Sequence, residues 1–392
     1  MSEFDRRLAE HCPDGVEVMM LGEVGTFVRG RRFTKADMVE EGIPCIHYGE
    51  IYTEYGVSAR TTVSYVREDL RNQLRYAQPG DVIVAGVGET VEDVGKAVAW
   101  LGEGEVAIHD DSFLFRSELN PTYVSYYFQT GTFRADKEQH VSRAKVKRLS
   151  SSGLSRVTIP VPPLEVQREI VRILDRTTQL QAELQAELQA ELQARTRQYE
   201  HYREQLLTSV QSVRRASLSE LFDMRAGKFI AASEITATPD ADHLIPCFGG
   251  GGHRGYVAMP NHEGDKVLIG RQGALCGNVK RASGSFYATE HAVVVHAKPG
   301  VDIRWAYHML TAMNLNQYAS KSAQPGLAVG TIARLEVAVP SYQEQQAIGA
   351  KLDQFNALIN ELSVGLGAEI QARRKQYEHH RNTILTFPER VA

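Results

Sequence analysis

Two stretches of this chain repeat each other at a constant offset of 178 residues, which restricts its possible folds more than any other feature. Residues 159–175 (IPVPPLEVQREIVRILD) lie over 337–353 (VAVPSYQEQQAIGAKLD): Pro162 meets Pro340, Gln167 meets Gln345, Ile170 meets Ile348, and Leu174-Asp175 meets Leu352-Asp353. Further on, 195–203 (RTRQYEHYR) lie over 373–381 (RRKQYEHHR), with six of nine positions identical. An offset held across more than 40 residues admits no insertion, as expected of two equivalent continuous helices. The preceding segments correspond only with gaps. Leu21-Gly22-Glu23 parallels Leu218-Ser219-Glu220 at 197, Ile43-Pro44-Cys45 parallels Ile245-Pro246-Cys247 at 202, and Gly80-Asp81 parallels Gly264-Asp265 at 184. Offset 197 against 178 gives the first half 19 extra residues. The chain reads as globule, helix, globule, helix. Helices matched in register beside globules free to differ point to two related modules of different specificity.

The first long helix is expected from Pro163, a residue suited to a first turn, to about Leu207. Its core is QLQAELQAELQAELQA (179–194), all good helix formers, with Leu180, Leu184, Leu188 and Leu192 on one stripe beyond Ile170 and Leu174. The second helix offers Ile348, Leu352, Phe355, Leu358, Leu362, Leu366 and Ile370 at similar spacing, which predicts an antiparallel two-helix coiled coil. Gly365 and Gly367 would permit close approach within it. The expected class is α+β, an internal pseudo-twofold repeat with boundaries at 1–162, 163–212, 213–340 and 341–392. Short β-like runs (82–84, 267–269, 293–295) precede helix-like stretches near 121–130 and 302–313.

Few catalytic constellations are present to weigh. Gly249–Gly252 lacks the GK[ST] of a phosphate loop and reads as a turn. Asn120-Pro121-Thr122-Tyr123 resembles the Asn-Pro-Pro-Tyr of amino-methyltransferases, but it lacks the second proline and any glycine fingerprint for the methyl donor; it reads as a turn into a helix. His109-Asp110-Asp111 reads as a solvated turn. His379-His380 are adjacent and do not share a helical face as metal ligands would. Cys12, Cys45, Cys247 and Cys276 are scattered without a CxxC pair, so neither a disulfide framework nor a zinc site is expected, and a reducing cytoplasm fits. The chain looks non-catalytic and metal-free. With 44 basic against 48 acidic residues, nucleic-acid binding must come from local patches. Residues 134–148 hold six cations against two acids, and 266–289 hold Lys266, Arg271, Lys280 and Arg281 with no acid before Glu290. Arginine paired with guanine, and Asn or Gln with adenine, is the chemistry of major-groove reading. Candidate DNA contacts are Arg29, Arg31, Arg32, Tyr48, Arg143, Lys145, Lys147, Arg254, Tyr256, Arg271, Gln272, Lys280, Arg281, Lys321 and Gln324. The acidic span 80–111 is not expected to face phosphates as a whole.

Taken together, the chain resembles the DNA-specificity subunit of a Type I restriction–modification system. The most specific match is Pro162-Pro163-Leu164-Glu165-Val166-Gln167 through Ile170 and Leu174-Asp175, similar to the family's PPL-x-EQ-x-x-I…LD helix opening. Val166 replaces the usual glutamate, whereas the second copy keeps Glu344-Gln345. GIPCIHYGEI (42–51), PGDVIVAG (79–86), IPCFGGGGHRGY (245–256) and SAQPGLAV (322–329) resemble recurrent family stretches, as does a tetrapeptide repeat in the central helix. The resemblance implies two target-recognition domains, each reading half of a bipartite asymmetric site on double-stranded DNA. The helices would fix the gap between the halves; each four-residue unit adds about 6 Å, close to two base pairs. It further implies docking of two modification subunits that use S-adenosylmethionine to methylate adenine N6. Restriction subunits would complete the complex, with ATP and Mg in the partners and no cofactor on this chain. Two other readings remain at this point: an autonomous DNA-modifying enzyme, and a coiled-coil scaffold that never reads DNA.

Overall fold

The computed structural model describes residues 3–142, 144–209, 214–321 and 325–388. Contacts divide the chain into two compact units, Met1–Gln185 with Glu369–Ala392, and Ala186–Ala368. Four helices organise them: α1 (Pro121–Tyr127), α2 (Leu164–Thr208), α3 (Ile303–Ala312) and α4 (Tyr342–Ile384). Each unit therefore holds one globule and a part of both long helices.

In the first unit, strands β1 (Gly25–Arg29), β2 (Ile43–Ile46), β3 (Val82–Ala85), β4 (Ala97–Trp100), β5 (Val106–Ile108) and β6 (Ser112–Ser117) build two sheets. One runs β1-β6-β3-β4 and then Ser58–Ala59. Its residues alternate between two cores. Val82, Val84, Phe113 and Phe115 pack towards Tyr123, Tyr127, Ile170 and Leu174, while Ile83, Ala85, Val98 and Leu114 pack towards Ile46 and Ile108. Burial on both faces explains why Val82-Ile83-Val84 is apolar without interruption. In the other sheet β2 and β5 lie side by side and parallel, Cys45 opposite Ala107.

The second unit repeats the plan with β7 (Phe222–Ala226), β8 (Ile245–Gly249), β9 (Lys266–Gly270), β10 (Val279–Ala282), β11 (Ser285–Ala288) and β12 (Ala292–Ala297). The order β7-β12-β9-β10 reproduces β1-β6-β3-β4, and β8 is parallel to β11 with Cys247 opposite Tyr287. Val267 and Ile269 pack with Trp305 and Met309, and Leu268 packs on the other face with Phe286 and Val294.

The helix openings are duplicated down to single hydrogen bonds. Asn120 caps α1, its Oδ1 accepting from the amides of Thr122 (3.0 Å) and Tyr123 (3.1 Å). Asp302 caps α3 through the amides of Arg304 and Trp305 at the same distances. The Asn120 amide donates to Gln167 Oε1 (2.8 Å), and Gln167 Nε2 donates to the Pro162 carbonyl (2.8 Å). In the second copy the Asp302 amide donates to Gln345 Oε1 (2.9 Å), and Gln345 Nε2 donates to Pro340 (2.9 Å). The Asn-Pro-Thr-Tyr stretch is thus a helix cap, and an aspartate does the same work 182 residues later.

The long helices run antiparallel within each unit. In the first, Val166, Ile170 and Leu174 share a core with Ile384 and Leu385, and Thr178 Oγ1 lies 2.7 Å from the Tyr377 hydroxyl. In the second, the Tyr202 and Phe355 rings lie 5.3 Å apart, and Leu207 and Ile348 join one core. Leu352 is buried, and Leu184, Leu188, Leu192, Leu362, Leu366 and Ile370 are half-buried. Three expectations need correction. Leu358 is 60% exposed and Ile359 faces inward instead, because the inward spacing is 355, 359, 362, 366, 370 and Leu358 sits about 100° away round the helix. Leu180 is 53% exposed; a repeat of four drifts about 40° per unit, which leaves the first leucine outside. Gly365 and Gly367 mark no close approach, since nothing lies within 4 Å of a Cβ built on either.

Candidate nucleic-acid interface

The parallel pairs β2–β5 and β8–β11 end at equivalent places, and some of the candidate contacts gather there. In the first unit β2 runs into His47-Tyr48 and β5 into His109-Asp110-Asp111. In the second, β8 runs into Gly249–Gly251 and β11 into Thr289-Glu290-His291. Matching backbone bonds fix the correspondence. The amides of Gly86 and Arg271 donate to the carbonyls of Asp111 and His291 (2.8 and 3.0 Å), and those of Leu149 and Leu327 donate to Gly86 and Arg271 (both 2.9 Å). The chain reaches both places through a glycine. A Cβ on Gly30 would sit 2.1 Å from the His109 carbonyl, and one on Gly227 would sit 2.1 Å from that of Ala288, so no larger residue fits either turn.

In the first unit this cleft is lined by Arg29, Arg32, Phe33, Thr34, His47, Tyr48, His109, Asp110, Asp111 and Arg148. Arg29 Nε donates to the Asp110 carbonyl (2.6 Å), its Nη2 lies 3.7 Å from the Asp110 carboxylate, and Arg148 Nη1 donates to Asp111 (3.3 Å). His47 and His109 have ring centroids 4.5 Å apart, with Tyr48 4.5 Å from His47 and Phe33 edge-on to His109. Both imidazoles are held neutral. His47 Nδ1 accepts from the Gly49 amide (3.2 Å) and His109 Nδ1 from that of Asp111 (3.1 Å), so protonation at Nδ1 would break a bond. Burial, and then the neighbouring His109, lower His47 to about 4; burial also lowers His109. With neutral histidines, Arg29, Arg32 and Arg148 outweigh two aspartates, which leaves aromatic faces beside net positive charge. His109, Asp110 and Asp111 bring metal-ligand atoms within 4.8 Å of one another, but guanidiniums already cover both carboxylates. His109 is 8% exposed, so this stretch is a built part of the cleft and not the solvated turn expected from sequence.

The second unit presents different chemistry at the same place. Its cleft is lined by Gly249–Gly252, His253, Arg254, Gln272, Gly273 and His291. The glycines form the tip of a hairpin between β8 and strand Gly252–Val257. They let the backbone come close, since a Cβ on Gly250 would lie 3.0 Å from the Gln272 carbonyl. Arg254 and Gln272 are exposed, Tyr256 is half-buried opposite Thr236, and the exposed Lys280 lays its stem against Gly252. Arg271 is half-buried, and its Nε has no hydrogen-bond partner among the described residues.

The remaining candidates separate. Arg31 is exposed beside the first cleft, its amide bonded to Ile108. Lys147 pairs with Gly88 in a short ladder and Lys145 is exposed nearby. Lys321 is exposed; Arg143 and Gln324 lie outside the described residues. Two cations of the patches are spent internally. Lys137 is 2% exposed, bonds the carbonyls of Glu92 and Val94, and is lowered by burial to about 8. Arg281, expected to contact DNA, is turned inwards instead, and its Nη1 bonds Asp353 of α4 (3.0 Å). Sequence reasoning did not place His47, His109, Arg148, His253 and His291 in these clefts. The available signal was the 202-residue match of Ile43-Pro44-Cys45, which aligns the strand ends once the parallel partner is known.

The sequence model of the Type I restriction modification DNA specificity domain matches residues 13–194 and again 213–372. The EcoprrI specificity subunit of Escherichia coli is 55% identical over 207 residues, so the alignment spans about half of each protein (52%). A putative type I restriction enzyme specificity subunit of Haemophilus influenzae is 32% identical over 306 residues, 69% of this chain and 74% of that one. Among solved structures, one described under complex assembly and conformational transition of the type I R-M system shares the fold, with TM-score 0.76 at 15% identity over 95% of this chain and 97% of that one. The HsdS subunit from Thermoanaerobacter tengcongensis aligns with TM-score 0.56 at 14% identity over 95% and 96%. By the duplicated family match, this chain belongs to the Type I restriction modification DNA specificity family.

Proposed function

We propose that this chain is the DNA-reading subunit of a Type I restriction–modification complex, each unit reading half of a bipartite site. One observation carries the reading: clefts at equivalent places on a duplicated fold differ in chemistry, aromatic and arginine-rich in one, glycine-lined with Arg254 and Gln272 in the other. A duplication kept only for stability gives no reason for the two equivalent clefts to carry such different side chains. The long helices would carry two modification subunits and set the gap, with S-adenosylmethionine, ATP and Mg bound by the partners and catalysis left to them. The cytoplasm is the proposed site of action; no described helix is long and apolar enough to cross a membrane. An autonomous methyltransferase is disfavoured, since Asn120, its one supporting residue, is occupied as a helix cap.

The test is a genome-wide map of N6-methyladenine in a naive host carrying this chain and its modification subunit, against a control lacking only this chain. A new bipartite motif is the expected result. Absence of any motif from an assembled complex would leave a scaffold as the better reading. Methyl transfer by this chain alone, lost in Asn120→Ala, would support the enzyme.

A further inference from the structure

Asp353 joins three elements of the second unit. Its Oδ1 lies 2.9 Å from His308 Nε2 on α3, and its Oδ2 accepts from Arg281 Nη1 on β10. His308 is fully buried, and its Nδ1 lies 3.2 Å from the Tyr199 hydroxyl of α2. The internal repeat supplies a control. In the first unit Asp175 occupies the place of Asp353 and accepts from the Tyr126 hydroxyl of α1 (2.7 Å), with Tyr377 in the place of Tyr199. The joint between globule and helices is thus common to both units, but the arm to the sheet is not. By strand register, β4 offers Ala99 where β10 offers Arg281. Both copies hold the Tyr or His contact; the arginine stands in the second and not in the first.

The arginine leads towards the cleft. Successive residues of a strand point to opposite faces, so Arg281 faces the helices while Lys280, one residue earlier, lays its stem against Gly252 of the glycine hairpin. We infer that Asp353 is a positioning residue for the second half-site: through Arg281 it fixes where β10 and the glycine hairpin present Lys280, Arg254 and Gln272. The inference rests on the DNA-reading function proposed above. Side-chain exposures of 27% and 31% leave the Arg281–Asp353 pair partly shielded from solvent, and Arg281 also reaches Asp265 at 3.5 Å, which sets its guanidinium from two sides.

The experiment is the methylation map, read separately for each half-site, on complexes of wild type, Asp353→Asn, Arg281→Met, Arg281→Lys and the double variant Asp353→Asn/Arg281→Met. Asn keeps Oδ1 as an acceptor for His308 and replaces the oxygen facing Arg281 by an amide nitrogen, which cannot accept from the guanidinium. The inference expects Asp353→Asn and Arg281→Met each to reduce discrimination at the second half-site roughly five- to tenfold, with the first half-site unchanged. The double variant should be no worse than the single ones, and Arg281→Lys should recover part of the loss. Asp175→Asn, in the unit whose sheet has Ala99 in place of the arginine, should leave the first half-site unaltered. Unchanged discrimination in both single variants overturns the inference, as does an equal loss at both half-sites or a double variant with additive losses. If Asp353→Asn fails to assemble, Arg281→Met against Arg281→Lys decides, since neither alters α4. A wild-type complex that yields no bipartite motif would refute the DNA-reading function itself; a normal motif with indifferent variants would refute only the role of Asp353.

Discussion

The His47 imidazole shows how a single side chain in the first cleft ties stability to pH. Its folded pKa of about 4 lies below the ordinary value of 6.5, so the folded state favours the neutral ring. The resulting stability is present in full above pH 6.5 and is lost as pH falls towards 4; it amounts to at most about 3 kcal/mol. Thermal melts between pH 7.5 and 4.5 should therefore fall more steeply for wild type than for His47→Asn, which cannot titrate and whose Oδ1 takes the place of Nδ1 as acceptor for the Gly49 amide. Parallel curves would mean the ring is not held neutral. In the second cleft, Arg254→Ala or Gln272→Ala should weaken or relax recognition of the second half-site by about 1–3 kcal/mol while leaving the first unchanged, as read by binding to singly altered duplexes. At this scale the sequence was a partial guide. Residue type marked Arg29, Arg254 and Gln272 as candidate DNA contacts, and all three line a cleft; it marked Arg281 equally, although that side chain is bonded to Asp353, because an arginine's partner cannot be read from its type.

Elements were far more legible than side chains. Proline at a first turn, apolar spacing and helix propensity located α2 from Leu164 to Thr208 against an expected 163–207, because those signals are local. The slip at Leu358 has the same origin: two neighbouring apolar residues, Leu358 and Ile359, satisfy a helical count almost equally, and only the packed face chooses between them. The duplicated glutamines yield a prediction for both units. Gln167→Ala would leave the Asn120 amide and the Pro162 carbonyl without their partner in a buried site, a cost of about 1–3 kcal/mol. Gln345→Ala should cost a similar amount through Asp302 and Pro340. Amide exchange should quicken at Asn120 in the first variant and at Asp302 in the second, with each leaving the other amide protected. Quickening at both would show that the joints are not independent.

For the molecule as a whole, the regular repeat in α2 is the part whose length can change with least damage to either globule. Removing residues 181–184 shortens the helix by about 6 Å, close to two base pairs. The methylation map of that variant should keep both half-sites and shorten the gap between them; an unchanged gap with full activity would refute the spacing role. By itself the sequence determined the duplication, the register of its helices and the existence of two diverged globules, since these are written in local periodicity and in constant offsets along one dimension. Tertiary structure decided which residues share a cleft. Parallel strands bring His47 beside His109 and Gly250 beside His291, and the fold sends Arg281 to a carboxylate 72 residues away. Such meetings depend on how the chain crosses from one strand to a distant neighbour, and local spacing holds no record of that.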